Sequence, residues 1–349
     1  MTTTLADEEG HRSRARSWNH PRTWLTIAAL TAAYLVLQWS VLPTIHWGDT
    51  LRVFLYATTW PDVPIDHHAL RIGLIGPTWL SQQLLGYGQV AFYAVSFAFG
   101  IALVVGMYAA GRALFDETVG IVASLTLLLS PYVVDTERFL TSGLILPDLP
   151  SAAIFTLGVA ALVTAIRRES GRWQQGLLVT AGLLFGSAYL IREFVPAMFV
   201  IIPLAFLLWR VPLRRLGWVL GPMLLIWLGE STLNAIVHGD ALIRLNVSSE
   251  HGRVLEDPVT TTETLRFWWR AFTDSNRGML LVGMLGLNVA GVAFFRDRRL
   301  VLTLAWFGSL FIALLALGGL LDARSPALRI VLTRYWFPVF PALVLGGIG

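Results

Sequence analysis

The sequence predicts an all-α membrane protein, a polytopic helix bundle of about ten spans with amphipathic surface helices in its outer loops. Three observations carry that reading. Apolar blocks of roughly 17 to 22 residues recur from Trp24 to the C-terminus, each long enough to cross a hydrocarbon core of about 30 Å as a helix. Of the 349 residues, 55% are hydrophobic and only 14% charged, too little charge to coat a soluble globule. The polar turns on one side of the blocks are short and dense in arginine, whereas those on the other side are longer and more acidic.

The blocks place spans near 24–45, 90–111, 118–134, 149–166, 176–190, 194–209, 217–237, 278–295, 300–320 and 335–349. Residues 1–23 read as a basic cytoplasmic tail, with Arg12, Arg14, Arg16 and Arg22 ahead of the first block, and 24–349 as one transmembrane domain. The first block is longer than a signal-peptide core and has no small-x-small cleavage site before His46. With the N-terminus inside, 14 arginines and 7 acids fall in about 50 inner residues, against 12 arginines and 15 acids in about 115 outer ones. The expectation is a multi-pass plasma-membrane protein whose working surface lies on the outer face.

Outer segments are expected at about 46–89, 135–148 and 238–277. The first carries apolar residues at helical spacing, Leu51, Phe54 and Leu55, then Leu70, Leu74 and Ile75, as short surface helices do. In the last, Thr260 and Glu263 have capping-box spacing ahead of Leu265, Trp268, Trp269 and Phe272, which predicts an interfacial helix.

Composition also excludes. There is no cysteine, so disulfides, thiolate metal sites and a cysteine nucleophile are absent. All 26 basic residues are arginine, and the pI is near 9.7, yet the arginines are scattered over loops with no basic, aromatic-studded stripe for nucleic acid.

The candidates for chemistry sit at the outer ends. Asp49, in Ile45-His-Trp-Gly-Asp-Thr-Leu-Arg52, follows the first span and is equally readable as a helix N-cap. After the third span come Asp135, Glu137 and Arg138, then Leu146-Pro-Asp-Leu-Pro150, where Asp148 is again a cap candidate with Pro150 in the first turn. Asp49 and Asp148 emerge on one side, as a pair able to bind a divalent cation or to divide general-base and orienting roles. His67 and His68 fit phosphate or cation binding as well as plain solvation. Glu230 and Asn234, one turn apart, fit a cavity wall or a hydrated helix end. A secondary transporter has similar composition, but it predicts paired broken helices and mid-membrane charges, whereas these charges gather at one face. A lipid flippase or a non-catalytic lipid-binding subunit is the other alternative.

The order of these features resembles the C-type fold glycosyltransferases, which include the protein O-mannosyltransferases and the bacterial aminoarabinose transferases of lipid A. The likeness runs through Asp49, His67-His-Ala-Leu-Arg71, the Arg138 and Pro147-Asp148 entry to the fourth span, Tyr189-Leu-Ile-Arg-Glu-Phe-Val-Pro196 and Arg334-Tyr-Trp-Phe-Pro-Val-Phe-Pro341. Two departures are Gly48-Asp49-Thr50, where the family often has paired acids, and His68-Ala69-Leu70, where it often has His-Pro-Pro. The chain ends inside an apolar block at Gly349, where relatives often carry a further outer domain. The resemblance implies a sugar carried on a polyprenyl phosphate, a lipid, glycan or protein acceptor, and inversion with Asp49 as general base. It implies phosphate contacts from Arg192, Arg334, Arg138, His68 and Tyr335, with Glu137, Glu230 and His67 near the cavity and a divalent metal held by Asp49 and Asp148. On the residues alone, Arg192 equally reads as a pair with Glu193, and Arg334 as a snorkelling interfacial side chain.

Overall fold

A computed structural model describes residues 20–39, 48–129, 146–168, 171–254, 262, 266, 276–315 and 333–349, with backbone alone at 249–254, 276–278, 315 and 333–335. The described chain is helical throughout. In order the helices are α1 (Pro21–Trp39), α2 (Gly48–Thr59), α3 (Ile72–Leu85), α4 (Gln89–Leu114), α5 (Glu117–Leu129), α6 (Asp148–Ile166) and α7 (Arg172–Ile191). There follow α8 (Ile201–Leu208), α9 (Gly217–His238), α10 (Ile243–Val254), α11 (Asn276–Phe295), α12 (Arg298–Leu315) and α13 (Phe340–Ile348). Among the described residues, α4, α6, α7 and the segment Leu213–His238 are long and apolar enough to cross a membrane. Shorter apolar segments stand at Glu117–Leu129, Val195–Leu208, Met279–Phe295 and Trp336–Ile348, and α1 and α12 occupy the two remaining expected positions.

Two expected spans differ in detail. The segments near 194–209 and 335–349 open as 3₁₀ helices, Val195–Val200 and Thr333–Val339, before continuing as α8 and α13. Pro196 sits at the start of the first and Pro338 inside the second, and a missing N–H with a fixed φ favours a tighter opening turn over a regular one.

Helix α6 is the axis of the bundle. Its span is 78% buried, against 17% for α9, whose leucines and tryptophans face outward as lipid-facing residues do. Phe155 of α6 anchors an aromatic group, its ring 4.9 Å from Phe185 of α7 and 5.2 Å from Trp306 of α12. The Trp306 indole N–H donates to the Met198 sulfur at 3.2 Å, so this buried tryptophan keeps a partner.

Close approaches depend on glycine. A Cβ on Gly182 of α7 would stand 2.2 Å from the Val219 carbonyl oxygen of α9, a backbone atom that cannot swing away. Gly182→Ala is expected to cost about 1–3 kcal/mol, read as a lower melting temperature in detergent.

The bundle's two ends differ. At one end, side chains fasten the short turns: Arg112 donates to Thr23 at 2.8 Å, Arg167 to the Ala113 carbonyl at 2.5 Å, Gln174 to the Ala165 carbonyl at 3.1 Å and Arg215 to Gln174 at 2.7 Å. The Arg298 guanidinium lies over Trp209 and that of Arg299 over Phe115. Those residues belong to the turns expected inside. The opposite end carries α2 and α3 as the two short helices expected in the first outer segment. They pack through Val53, Ala57, Leu74 and Ile75 onto Phe92, Val95 and Ile191. Of the expected apolar residues, Leu74 and Ile75 lie in this cluster and Phe54 packs on it, whereas Leu51 and Leu55 are exposed on the opposite side of α2 from Val53 and Ala57. The interfacial helix expected around Thr260 to Phe272 lies outside the described residues apart from Thr262 and Arg266.

Candidate functional site

Gly48 opens α2 with φ +59, a left-handed conformation that a side chain resists by about 1–2 kcal/mol. Asp49 therefore lies within the first turn of α2, not before it, and its carboxylate reaches across to the loop ahead of α3. Oδ1 is 3.5 Å from Nε2 of His68, and the carboxylate remains about one-third open to the surface.

Asp66 builds that loop. Its Oδ1 accepts the backbone N–H groups of His68 at 2.8 Å and Ala69 at 2.9 Å, its Oδ2 accepts the Tyr56 hydroxyl at 3.0 Å, and Arg52 stands 3.6 Å away. An aspartate whose side chain binds the N–H two residues on makes an Asx turn, which fixes where the next side chains point. Sequence reasoning passed over Asp66, although Asp66-His67-His68 has the spacing for it.

His68 is buried, and its Nδ1 lies 3.2 Å from Nη1 of Arg71. A guanidinium only donates, so Nδ1 accepts and the neutral ring carries its proton on Nε2, toward Asp49. Burial, and then the Arg71 charge, pushes the His68 pKa down to about 4. In protein labelled with ¹⁵N-histidine, the His68 ring is expected to stay neutral with Nε2 protonated until near pH 4, where an ordinary imidazole titrates near 6.5. Because the fold favours the neutral form, the stability it contributes is lost as pH falls from about 6.5 toward 4. Arg71→Gln removes both lock and charge, and the midpoint is expected to rise. His67 stacks on His68, ring centroids 3.9 Å apart.

Arg71 forks onto Glu193, Nη2 to Oε1 at 3.1 Å and Nε to Oε2 at 3.4 Å. Arg192 ends α7 in an extended conformation and bonds to Glu193 Oε1 through Nη1 at 3.4 Å. Its Nε is 3.1 Å from Asp148 Oδ1, and its guanidinium lies over Phe194. Asp148 is the first residue of α6, with Pro147 as cap and no side-chain cap bond, so the cap reading fails. It is fully buried, against Arg192. Glu230 and Asn234 of α9 are both buried, and Glu230 pairs with Arg244 at 2.5 Å. Arg244 also donates to the Tyr189 carbonyl at 2.6 Å and covers the Tyr189 ring. Burial alone would raise the Glu193 carboxyl, but Arg71, Arg192 and Arg244 outweigh it and hold that group well below the usual carboxylate range.

Asp49 and Asp148 are thus joined, not by direct contact, but through His68, Arg71, Glu193 and Arg192. Of the expected residues, the structure brings Asp49, Asp148, Arg192, His67 and His68 into this chain of contacts and places Glu230 beside it. Glu137 and Arg138 lie outside the described residues, and Arg334 and Tyr335 are placed by backbone alone, in the 3₁₀ turn ahead of α13. Sequence reasoning missed Arg71 and Arg244. Arg71 carried a usable signal, three residues after His68; Arg244 carried none, because its partner comes from another helix.

A divalent metal between Asp49 and Asp148 was expected. Among the described residues, no group of three or more His, Asp or Glu side chains stands close enough to hold one. Asp148 is engaged by a guanidinium, which is the wrong neighbour for a cation ligand.

Residues 77–232, just under half the chain, match a family model described as dolichyl-phosphate-mannose-protein mannosyltransferase. A crystal structure of ArnT from Cupriavidus metallidurans, bound to undecaprenyl phosphate, superposes with a TM-score of 0.67 at 15% identity, over 94% of this chain and 60% of that one. The chain has the C-type glycosyltransferase fold. The oligosaccharyltransferase of Archaeoglobus fulgidus in its apo form shares it, with a TM-score of 0.58 at 13% identity over 96% of this chain and 51% of that one. The chain therefore spans about 60% of ArnT and about half of the oligosaccharyltransferase. No curated protein sequence matches it. The family model takes in Asp148, Arg192, Glu193 and Glu230 and leaves out Asp49, His68, Arg71 and Arg244.

Proposed function

We propose that the protein is a membrane glycosyltransferase that moves a sugar from a polyprenyl phosphate to an acceptor hydroxyl on the non-cytoplasmic side, with inversion. One observation carries this reading: a surface-reachable carboxylate, Asp49, is oriented by a histidine whose tautomer is set by the first of a row of arginines suited to a phosphate. The match to a mannosyltransferase family model and a similar fold seen with undecaprenyl phosphate support the donor class.

The acceptor O–H gives its proton to Asp49 while its oxygen bonds the anomeric carbon. The bond from that carbon to the phosphate oxygen breaks, and its electron pair leaves with the lipid phosphate. The His68 Nε2–H holds the Asp49 carboxylate in the accepting orientation. Guanidiniums bind the departing phosphate while remaining charged, the role assigned to Arg192 with Arg334 and Arg138. Asp148 acts on Arg192: a buried carboxylate on Nε fixes the plane in which the other guanidinium donors point. Arginine-dense turns at the opposite end support an inner location for that end, and so an outer face for the site.

The test is incubation of purified protein with radiolabelled polyprenyl-phosphate sugars and membrane extract. A labelled covalent product dependent on Asp49 is expected. Counterflow of label in liposomes without any covalent product overturns the reading in favour of a transporter.

A further inference from the structure

Two arginines in this site share one carboxylate, and the carboxylate is the more exposed partner. Arg71 meets Glu193 through Nη2 at 3.1 Å and Nε at 3.4 Å, and Arg192 meets it through Nη1 at 3.4 Å. The side chains of both arginines are 4% exposed, that of Glu193 25%. Glu193 is thus the most open of the three side chains.

Each arginine also has a second anchor that does not involve Glu193. Arg192 is held at Nε by buried Asp148 at 3.1 Å, and Arg71 at Nη1 by His68 Nδ1 at 3.2 Å. If Glu193 turned away, both forks would keep their positions. A phosphate monoester presents paired oxygens to a guanidinium much as a carboxylate does, with more charge.

We infer that Glu193 is an exchangeable stand-in for the donor phosphate. It occupies the arginine forks in the empty enzyme, swings outward when the lipid phosphate arrives, and returns as the spent polyprenyl phosphate leaves. The inference rests on the polyprenyl-phosphate reading proposed above and adds a release device to it. Asp148, the other acid on Arg192, does not exchange, because it is sealed and has nowhere to go. Covalent chemistry is untouched by the exchange; only ion pairs trade partners.

The experiment measures binding of a sugar-free, short-chain polyprenyl monophosphate to purified protein in detergent, with the matching polyprenol as control. Glu193→Gln keeps the shape and removes the competing charge, and is expected to tighten monophosphate binding about tenfold while leaving polyprenol binding unchanged. Glu193→Asp keeps the charge, shortens the reach and is expected to tighten binding by a smaller factor, which keeps the test open should the Gln variant fold poorly. In turnover with saturating donor, product inhibition by the monophosphate should strengthen in the same order. Equal or weaker monophosphate binding by both variants overturns the inference and leaves the proposed function standing. Absence of monophosphate binding by the wild-type protein overturns the donor reading itself.

Discussion

Asp49→Asn is expected to lower sugar transfer by about 10²–10⁴-fold, the span usually lost with a general base. The amide has the volume of the carboxylate and can keep an oxygen beside His68 Nε2, so the α2 turn and its contact with the loop before α3 are expected to persist. What it cannot do is take a proton. The side chain sits about one-third open at the surface, so folding should hardly respond, and surface changes of this kind stay within about 0.5 kcal/mol. Turnover of purified variant and wild type on one labelled donor reads the first number, and thermal melting in detergent the second. Unchanged turnover removes Asp49 from the chemistry.

Asp148→Ala should act in the opposite way, on the fold first. Its carboxylate is fully buried and stands 3.1 Å from a guanidinium that is itself 3% exposed. Deleting one member of such a pair strands a charge in a poorly solvating place and costs about 3–5 kcal/mol. Replacing both members with apolar residues, as in Asp148→Leu with Arg192→Met, removes the stranded charge and is expected to recover most of that loss while sugar transfer stays abolished. Melting of the single and double variants separates the contributions, and a double variant no more stable than Asp148→Ala would contradict the account.

Much of the architecture was legible in the sequence because lipid imposes a coarse rule: a helix of about 20 apolar residues crosses, and arginine marks the inner turns. The expected 149–166, 176–190 and 217–237 fall inside α6, α7 and α9 for that reason. Finer features follow other forces. Val53 and Ala57 are buried while Leu51 and Leu55 are exposed, because which side of α2 meets α3 and α4 is settled by contacts distant in sequence. Asp49 was recognisable from its place after the first span, and Arg192 from its motif, but Arg192 is one node in a contact chain. Arg71 to Glu193 spans 122 positions in sequence, and a pairing of that range leaves no local pattern. Asp148 was expected at the outer mouth of its span, and what the sequence does not report is its full burial beside Arg192, a partner 44 positions away.

The fastening of the short turns has a mechanical consequence. Arg112 on Thr23, Arg167 on the Ala113 carbonyl and Arg215 on Gln174 lock neighbouring helices in register at one pole of the molecule. Relative movement of these helices is therefore expected to be smallest at that pole, read as the slowest amide exchange at the helix ends that these contacts join.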